Sequence, residues 1–373
     1  MNTNGIGICG KRYTGVLGAV MLAFSFFVLP AQAQQPAPKG WEQDWNQTVA
    51  AAKKEGQLIV SGPSGSAWRD ALMMFQEAYP DIKIKITPSA SRDFWPRVVL
   101  EREVKKYLWD LRVGGPDVQT YGLKDKGVFA PVRELLVLPE VVDASKWHGG
   151  MDGLFLDKEK RYFLGFAMYS QTIGHYNGKT MTEPVSVDKL IDPKYKGKIS
   201  MADPSGGSSN TTLAILHRKY GLDYVKKLLE QDLVIANQPR QQMDWMRAGR
   251  YPIAIGIPTI AFVEAQQRGV NIDHYIKLNA HAWSQGVGGV QLIDKAPHPN
   301  AAKVFINWIA TRDVQNRLMK KVELNSRRKD VPVHDPEEAL DVTKLDEYVG
   351  GQEESTMPYR NKVKELLEQM GIQ

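Results

Sequence analysis

The serines, histidines and glycines of this chain are spaced in ways that exclude several chemistries before they suggest one. Ser64 stands in Gly62-Pro63-Ser64-Gly65-Ser66, which lacks the closing glycine of a G-x-S-x-G nucleophile elbow. The seven histidines (His148, His175, His217, His274, His281, His298 and His334) form no H-E-x-x-H, and no two lie four residues apart, the spacing that puts two imidazoles on one helix face around zinc. Gly286-Val287-Gly288-Gly289-Val290-Gln291 misses the last glycine of G-x-G-x-x-G, and no G-x-x-x-x-G-K followed by Ser or Thr occurs. No catalytic residue, metal ligand or cofactor is assigned, and the expectation is a binder, with a secreted hydrolase as the rival class.

Two stretches instead place hydroxyls and glycines just before helical patterns: Ser64-Gly65-Ser66, and Ser205-Gly206-Gly207-Ser208 running on to Thr211. Backbone N–H groups at a helix start suit a phosphate, sulfonate or carboxylate, and glycine lets the backbone approach it. Simple N-capping by the same serines is the plainer alternative. Arg69 and Arg92 lie near these loops and suit bidentate pairing with an anion, against solvation as surface arginines. Trp68, Tyr169 and Trp283 suit stacking on an organic ligand, against core packing. Asp117 suits either a structural hydrogen bond or a ligand contact.

The elements that must hold these residues alternate. Trp41–Glu55 has apolar residues at helical spacing and stops at Gly56. Gln57–Val60 reads as a strand, Ala67–Tyr79 as a helix, and Ile82–Ile86 as a strand of strict period two. The pattern continues with a helix over Pro96–Tyr107, a strand near Val118 and a helix leading to Leu136. This predicts an α/β unit with a largely parallel sheet, whose ligands sit beyond the carboxyl ends of the strands. A second unit begins near Tyr176. It has a strand at Lys198–Met201, a loop over Ala202–Asn210, a helix at Thr211–Tyr220, a strand at Ile253–Ile257 and a helix over Ile260–Arg268. Val287–Ile293 reads as a strand returning to the first unit, and Asn300–Lys320 as one amphipathic helix.

The ends and the composition bound the class. Lys11 and Arg12, the apolar run Val16–Pro30 and Ala31-Gln32-Ala33 have the order of a cleavable secretory signal, with cleavage near Ala33/Gln34. The run is shorter than the roughly 20 residues of a membrane span. Cys9, the only cysteine, leaves with the signal, so thiol chemistry is excluded in the mature chain. The net charge of +6 is a mild excess, and no concentrated basic stripe calls for nucleic acid. Lys320-Lys321 and Arg327-Arg328 read as solvated helix ends.

At several points the sequence resembles one family. Trp45 with Ala50-Ala51-Ala52-Lys53-Lys54-Glu55-Gly56, Tyr79-Pro80-Asp81-Ile82, and Tyr195-Lys196-Gly197-Lys198-Ile199 before Asp203-Pro204 carry the resemblance. So do His298-Pro299-Asn300-Ala301-Ala302-Lys303 with Trp308, and Ser326-Arg327-Arg328-Lys329-Asp330-Val331. They are similar to the extracellular solute-binding proteins of ABC importers, in the group of ferric-ion, thiamine and polyamine binders. The resemblance implies an α/β, two-lobed type II periplasmic-binding fold with a hinge between the lobes. Residues 34–172 would start lobe one, 173–285 would form lobe two, and 286–373 would complete lobe one with hinge-side C-terminal helices. The crossings would fall at Tyr169–Thr172 and Trp283–Gly286. It further implies a monomeric periplasmic receptor whose partners are a small-molecule ligand and an inner-membrane permease with its ATPase; a sensing role stays open. Ferric-binding members carry a tyrosine pair that falls here at Thr259-Ile260, so direct iron binding of that kind is not expected. The ligand-binding set is therefore Ser64, Gly65, Ser66, Arg92, Tyr169, Ser205, Gly206, Gly207, Ser208 and Thr259. The ligand is expected to carry an anionic group, with thiamine-like or polyamine cations or ferric ion as alternatives.

Overall fold

The computed structural model describes residues 40–204, 207–257 and 259–372, apart from the side chains of 207–208, 259–260 and 263–264. The expected signal at 1–33, together with Ser205 and Gly206, lies outside the described residues. The first half of the chain runs α1 (Trp41–Glu55), β1 (Gln57–Gly62), α2 (Ser66–Ala78), β2 (Lys83–Pro88), α3 (Ser91–Glu103), β3 (Leu111–Val113), α4 (Val118–Lys124) and β4 (Phe129–Ala130). It ends with the short helices α5 (Pro139–Val142) and α6 (Gly150–Gly153) and with β5 (Phe163–Gly165). The second group is β6 (Tyr169–Asn177), β7 (Ile199–Ala202), α7 (Gly207–Tyr220), α8 (Leu222–Leu229), β8 (Val234–Ala236), α9 (Pro239–Arg247), β9 (Ile253–Ile255), α10 (Thr259–Gln267) and β10 (Tyr275–Ser284). The chain then adds β11 (Gly289–Ile293), α11 (Pro299–Ala310), α12 (Arg312–Val322), β12 (Val349–Gly350) and α13 (Met357–Gln369).

Two six-stranded sheets result. The first has the order β2-β1-β3-β11-β4, with β5 also paired to β11; the second has β12-β10-β6-β9-β7-β8. Within the first, β1 is parallel to β2 and β3, but β11 is antiparallel to β3, β4 and β5. The second is likewise mixed, because β6 runs antiparallel to both β9 and β10. The expectation of a largely parallel sheet is thus corrected. A strand that enters a sheet from the other half of the molecule arrives in the opposite direction to the βαβ strands already there.

The local departures have physical causes. The region near Val118 is the start of a helix, and the strand is Leu111-Arg112-Val113, where a buried arginine interrupts the apolar pattern. Helix α3 begins at Ser91, before Pro96, and buries Phe94, Trp95 and Val98. The helix expected before Leu136 is a single 3-10 turn at Arg133–Leu135. The helix expected over Asn300–Lys320 breaks at Thr311, whose Oγ1 donates back to the Trp308 carbonyl at 2.8 Å, while Glu140 accepts the Arg312 N–H at 2.9 Å. The break lets α11 pack on α1 and α12 pack on α2. Glu55, at the end of α1, closes the other end of α11 by accepting from the Asn300 and Ala301 N–H groups.

The chain passes between the sheets three times. Residues 166–168 lead from β5 to β6, and 285–288 lead from β10 to β11. These two passages touch, since the Phe166 and Ala167 N–H groups both donate to the Gly288 carbonyl. The third passage, 323–348, returns the chain to the second sheet, where β12 pairs with β10 and α13 packs on α7 and α8. The C-terminal region therefore divides: β11, α11 and α12 join the first sheet, whereas β12 and α13 belong with the second. Arg327 and Arg328, expected to be solvated, are both buried. Arg327 lies 4.4 Å from the Trp283 ring centre, and Arg328 pairs with Asp330 at 2.8 Å.

Candidate functional site

A cleft of about 1170 Å³ opens between the two halves. On the first side its wall is made by helix starts. Ala90, Ser91 and Arg92 begin α3, and Asp117, Val118 and Gln119 begin α4. On the second side it is made by Tyr169–Thr172 of β6, by Asn210, Thr211 and Thr212 in the first turns of α7, and by Gly256 and Ile257 after β9. Arg360, Asn361 and Lys364 of α13 close one end. This is where parallel strands with βα connections put a ligand, because helix N-termini gather beyond the strands' carboxyl ends.

The positive ends of these helices differ in how they are met. The Asp117 carboxylate caps α4, with Oδ1 accepting from the Thr120 N–H and Oγ1, each at 2.9 Å. Ala90 precedes α3 and no side chain caps it. Helix α7 starts at Gly207, within the Gly/Ser stretch first read as loop. Gly256 makes the close approach to it possible: its φ is +67°, and a Cβ there would lie 2.4 Å from the Ser209 Oγ.

The charged groups on the wall are unevenly engaged. Glu338 pairs with Lys277 at 2.7 Å, and Asp335 caps its own turn by accepting from the Glu337 and Glu338 N–H groups. Burial pushes the Glu338 carboxyl up, against the opposing pull of Lys277. Glu323 is exposed. Among the cations, Arg92 extends into solvent, with Asp93 at 3.9 Å. Arg112 is buried just behind the start of α3: its Nη1 donates to the Ser61 Oγ at 2.7 Å and the Ser89 carbonyl at 3.1 Å, and its Nε has no partner. Burial lowers its pKa to about 10, with Asp117 opposing.

The floor of the cleft is the hinge. The Ser284 Oγ donates to the Gln352 Oε1 at 2.6 Å and accepts the Gly286 N–H at 2.9 Å, and the Gln352 amide donates to the Gly286 carbonyl. Tyr121 donates to the Gln352 carbonyl at 2.8 Å, which ties α4 to the segment before α13. The Tyr169 hydroxyl occupies the space a Cβ on Gly286 would need, at 2.2 Å, and Gly286 has φ +54°. Burial raises the Tyr169 phenol, so it stays neutral.

Of the residues read from the sequence, Arg92 and Tyr169 reach the cleft wall. Gly207 and Ser208 form the first turn of α7, and Thr259 opens α10; Ser205 and Gly206 lie outside the described residues. Ser64, Gly65 and Ser66 do stand at a helix start, but they are exposed and not on the cleft wall. Sequence reading missed Asn210, Thr212, Gln171, Ser284, Gln352 and Arg360.

Comparison with known proteins places this architecture. A sequence profile described as bacterial extracellular solute-binding protein matches residues 70–339. The chain belongs to that family. This solute-binding protein is 21% identical over 279 residues to an uncharacterized protein of Haemophilus influenzae, covering 73% of this chain and 78% of that one. Among solved structures it is similar to the apo ferric ion-binding protein A of Pasteurella haemolytica (TM-score 0.64, 14% identity, 85% of this chain and 98% of that one). It is also similar to a Trichodesmium protein in complex with iron and citrate (TM-score 0.64, 13% identity, 85% and 100%). The fold is the two-lobed type II periplasmic-binding fold, and the solute-binding protein is the substrate-binding component of an ABC-type importer.

Proposed function

We propose that this solute-binding protein works as a monomer in the periplasm, after losing its signal near Ala33/Gln34. There it captures a small solute bearing an anionic group and delivers it to an inner-membrane permease and its ATPase. The observation that supports the anion is the convergence of α3 and α7: both N-termini open on one cleft, and the carboxylates Glu338 and Asp335 on its wall already have partners. A helix N-terminus carries partial positive charge, and a site largely shielded from water strengthens it. Capture needs no bond making. Closure about the hinge at 166–168 and 285–288 excludes water and tightens the polar contacts. On this reading the protein is not an enzyme, and hydrolytic turnover by the purified chain would contradict it.

Iron is named for the structural neighbours, and polyamines or thiamine remain the cationic alternative; among the described residues no group of three or more His, Cys, Asp or Glu side chains comes together as a metal site. A thermal-shift screen of the chain from Gln34 separates the readings. The panel is phosphate esters, phosphonates, carboxylates, polyamines, thiamine and Fe(III). A ligand that binds only the folded state raises the midpoint by mass action. The expected result is a shift with an anion that weakens on Arg92→Ala or Ser208→Ala. A shift with cations or iron alone would overturn the anion reading.

A further inference from the structure

Arg360 is more than nine-tenths buried yet lines the cleft. Its Nε donates to the Asn210 Oδ1 at 3.0 Å, which holds the guanidinium over the first turn of α7. No other hydrogen bond and no carboxylate within ion-pair distance meets it among the described residues, so both Nη atoms are left without a protein partner. A buried guanidinium without a counter-ion is destabilising, and folded chains retain one where a ligand supplies the missing charge. Burial lowers its pKa, and Asp117 across the cleft opposes that shift; the guanidinium stays charged.

We propose, building on the anion reading above, that Arg360 is the residue that reads the solute's charge. Its two Nη atoms take an oxyanion, carboxylate or phosphate, in bidentate fashion over the N-terminal turn of α7. The planar fork matches two oxygens at once, which an ammonium cannot do. Asn210 acts as a positioning residue, because its Oδ1 fixes the plane of the fork. A helix start gives partial charge and no stereochemistry, whereas the fork adds a defined plane; the pair together distinguishes an oxyanion from a halide.

The test uses the mature chain, with inorganic phosphate and acetate as probes and spermidine as the cationic control. Binding is followed by titration calorimetry and by thermal shift. In Arg360→Gln the tighter of the two anions should weaken by about 10- to 100-fold, the range for loss of a charge-assisted hydrogen bond. Arg360→Lys should recover only part of that, and whether phosphate or acetate suffers more identifies the group read. The ligand-free midpoint separates this role from a structural one: it should stay level or rise in Arg360→Gln, since an uncompensated buried charge has gone. Equal anion binding by wild type and Arg360→Gln would overturn the role of Arg360 and leave the anion reading standing. So would a ligand-free midpoint that falls by several degrees and recovers fully in Arg360→Lys together with binding. If neither phosphate nor acetate binds the wild type, both readings fail.

Discussion

His175 and Arg360 are both buried polar groups, and the difference between them is what faces them. His175 lies on β6 with its ring 4.0 Å from that of Phe262, and its Nδ1 has no partner. Burial, with Lys277 adding repulsion, pushes its pKa down to about 3. The unfolded chain takes up that proton near pH 6.5. The contribution of neutral His175 is therefore complete above about pH 6.5. It declines as pH falls, and it is gone below about 3. The slope is about 1.4 kcal/mol per pH unit. Denaturant unfolding of wild type and His175→Gln between pH 7 and 4 should show this as a converging difference, and parallel curves would contradict it. Arg92 and Tyr169, read from the sequence because both lie beside element ends, line the cleft. Sequence reading passed over Arg360 because charged residues are common on an exposed helix. A signal was present: Arg360 falls on the stripe of Met357, Val363 and Leu367, where a cation interrupts the buried face of α13.

At the scale of elements, the first strand–helix–strand run was legible, since α1, β1, α2 and β2 follow periodicity and glycine or proline stops with few long-range demands. The elements that went astray depend on contacts distant in sequence. β3 is three residues long and carries Arg112 inward, so no local pattern marks it. The break at Thr311 answers to α1, α2 and Glu140, none of them nearby in the chain. The hinge element yields a prediction of its own. Gly286→Ala forces a side chain into a left-handed conformation and against the Tyr169 hydroxyl. It should lower stability by about 2 kcal/mol or more and reduce the ligand-induced thermal shift. Adding Tyr169→Phe should recover part of the stability. An unchanged midpoint in Gly286→Ala would show that the contact does not constrain the hinge.

For the whole molecule, three passages between two mixed sheets set how closure is shared. Two of them, at 166–168 and 285–288, are hydrogen-bonded to each other. Beyond the third passage, between β12 and α13, Glu354 meets Lys124 at 2.7 Å, and Lys124 also meets Glu159 at 2.5 Å. That anchor precedes α13 directly, so the element bearing Arg360 is fixed to both halves. The two-lobed architecture could be read from the sequence through resemblance, but the return of the last helix to the second sheet could not, because β12 is two residues long. The central claim is that this architecture captures an anionic solute. Native mass spectrometry of the protein isolated gently from its own cells, followed by denaturation and identification of the freed small molecule, addresses it most directly. The account predicts one bound organic carboxylate or phosphate ester per chain, absent from Arg360→Gln. A bound polyamine, thiamine or iron with no accompanying anion would contradict it.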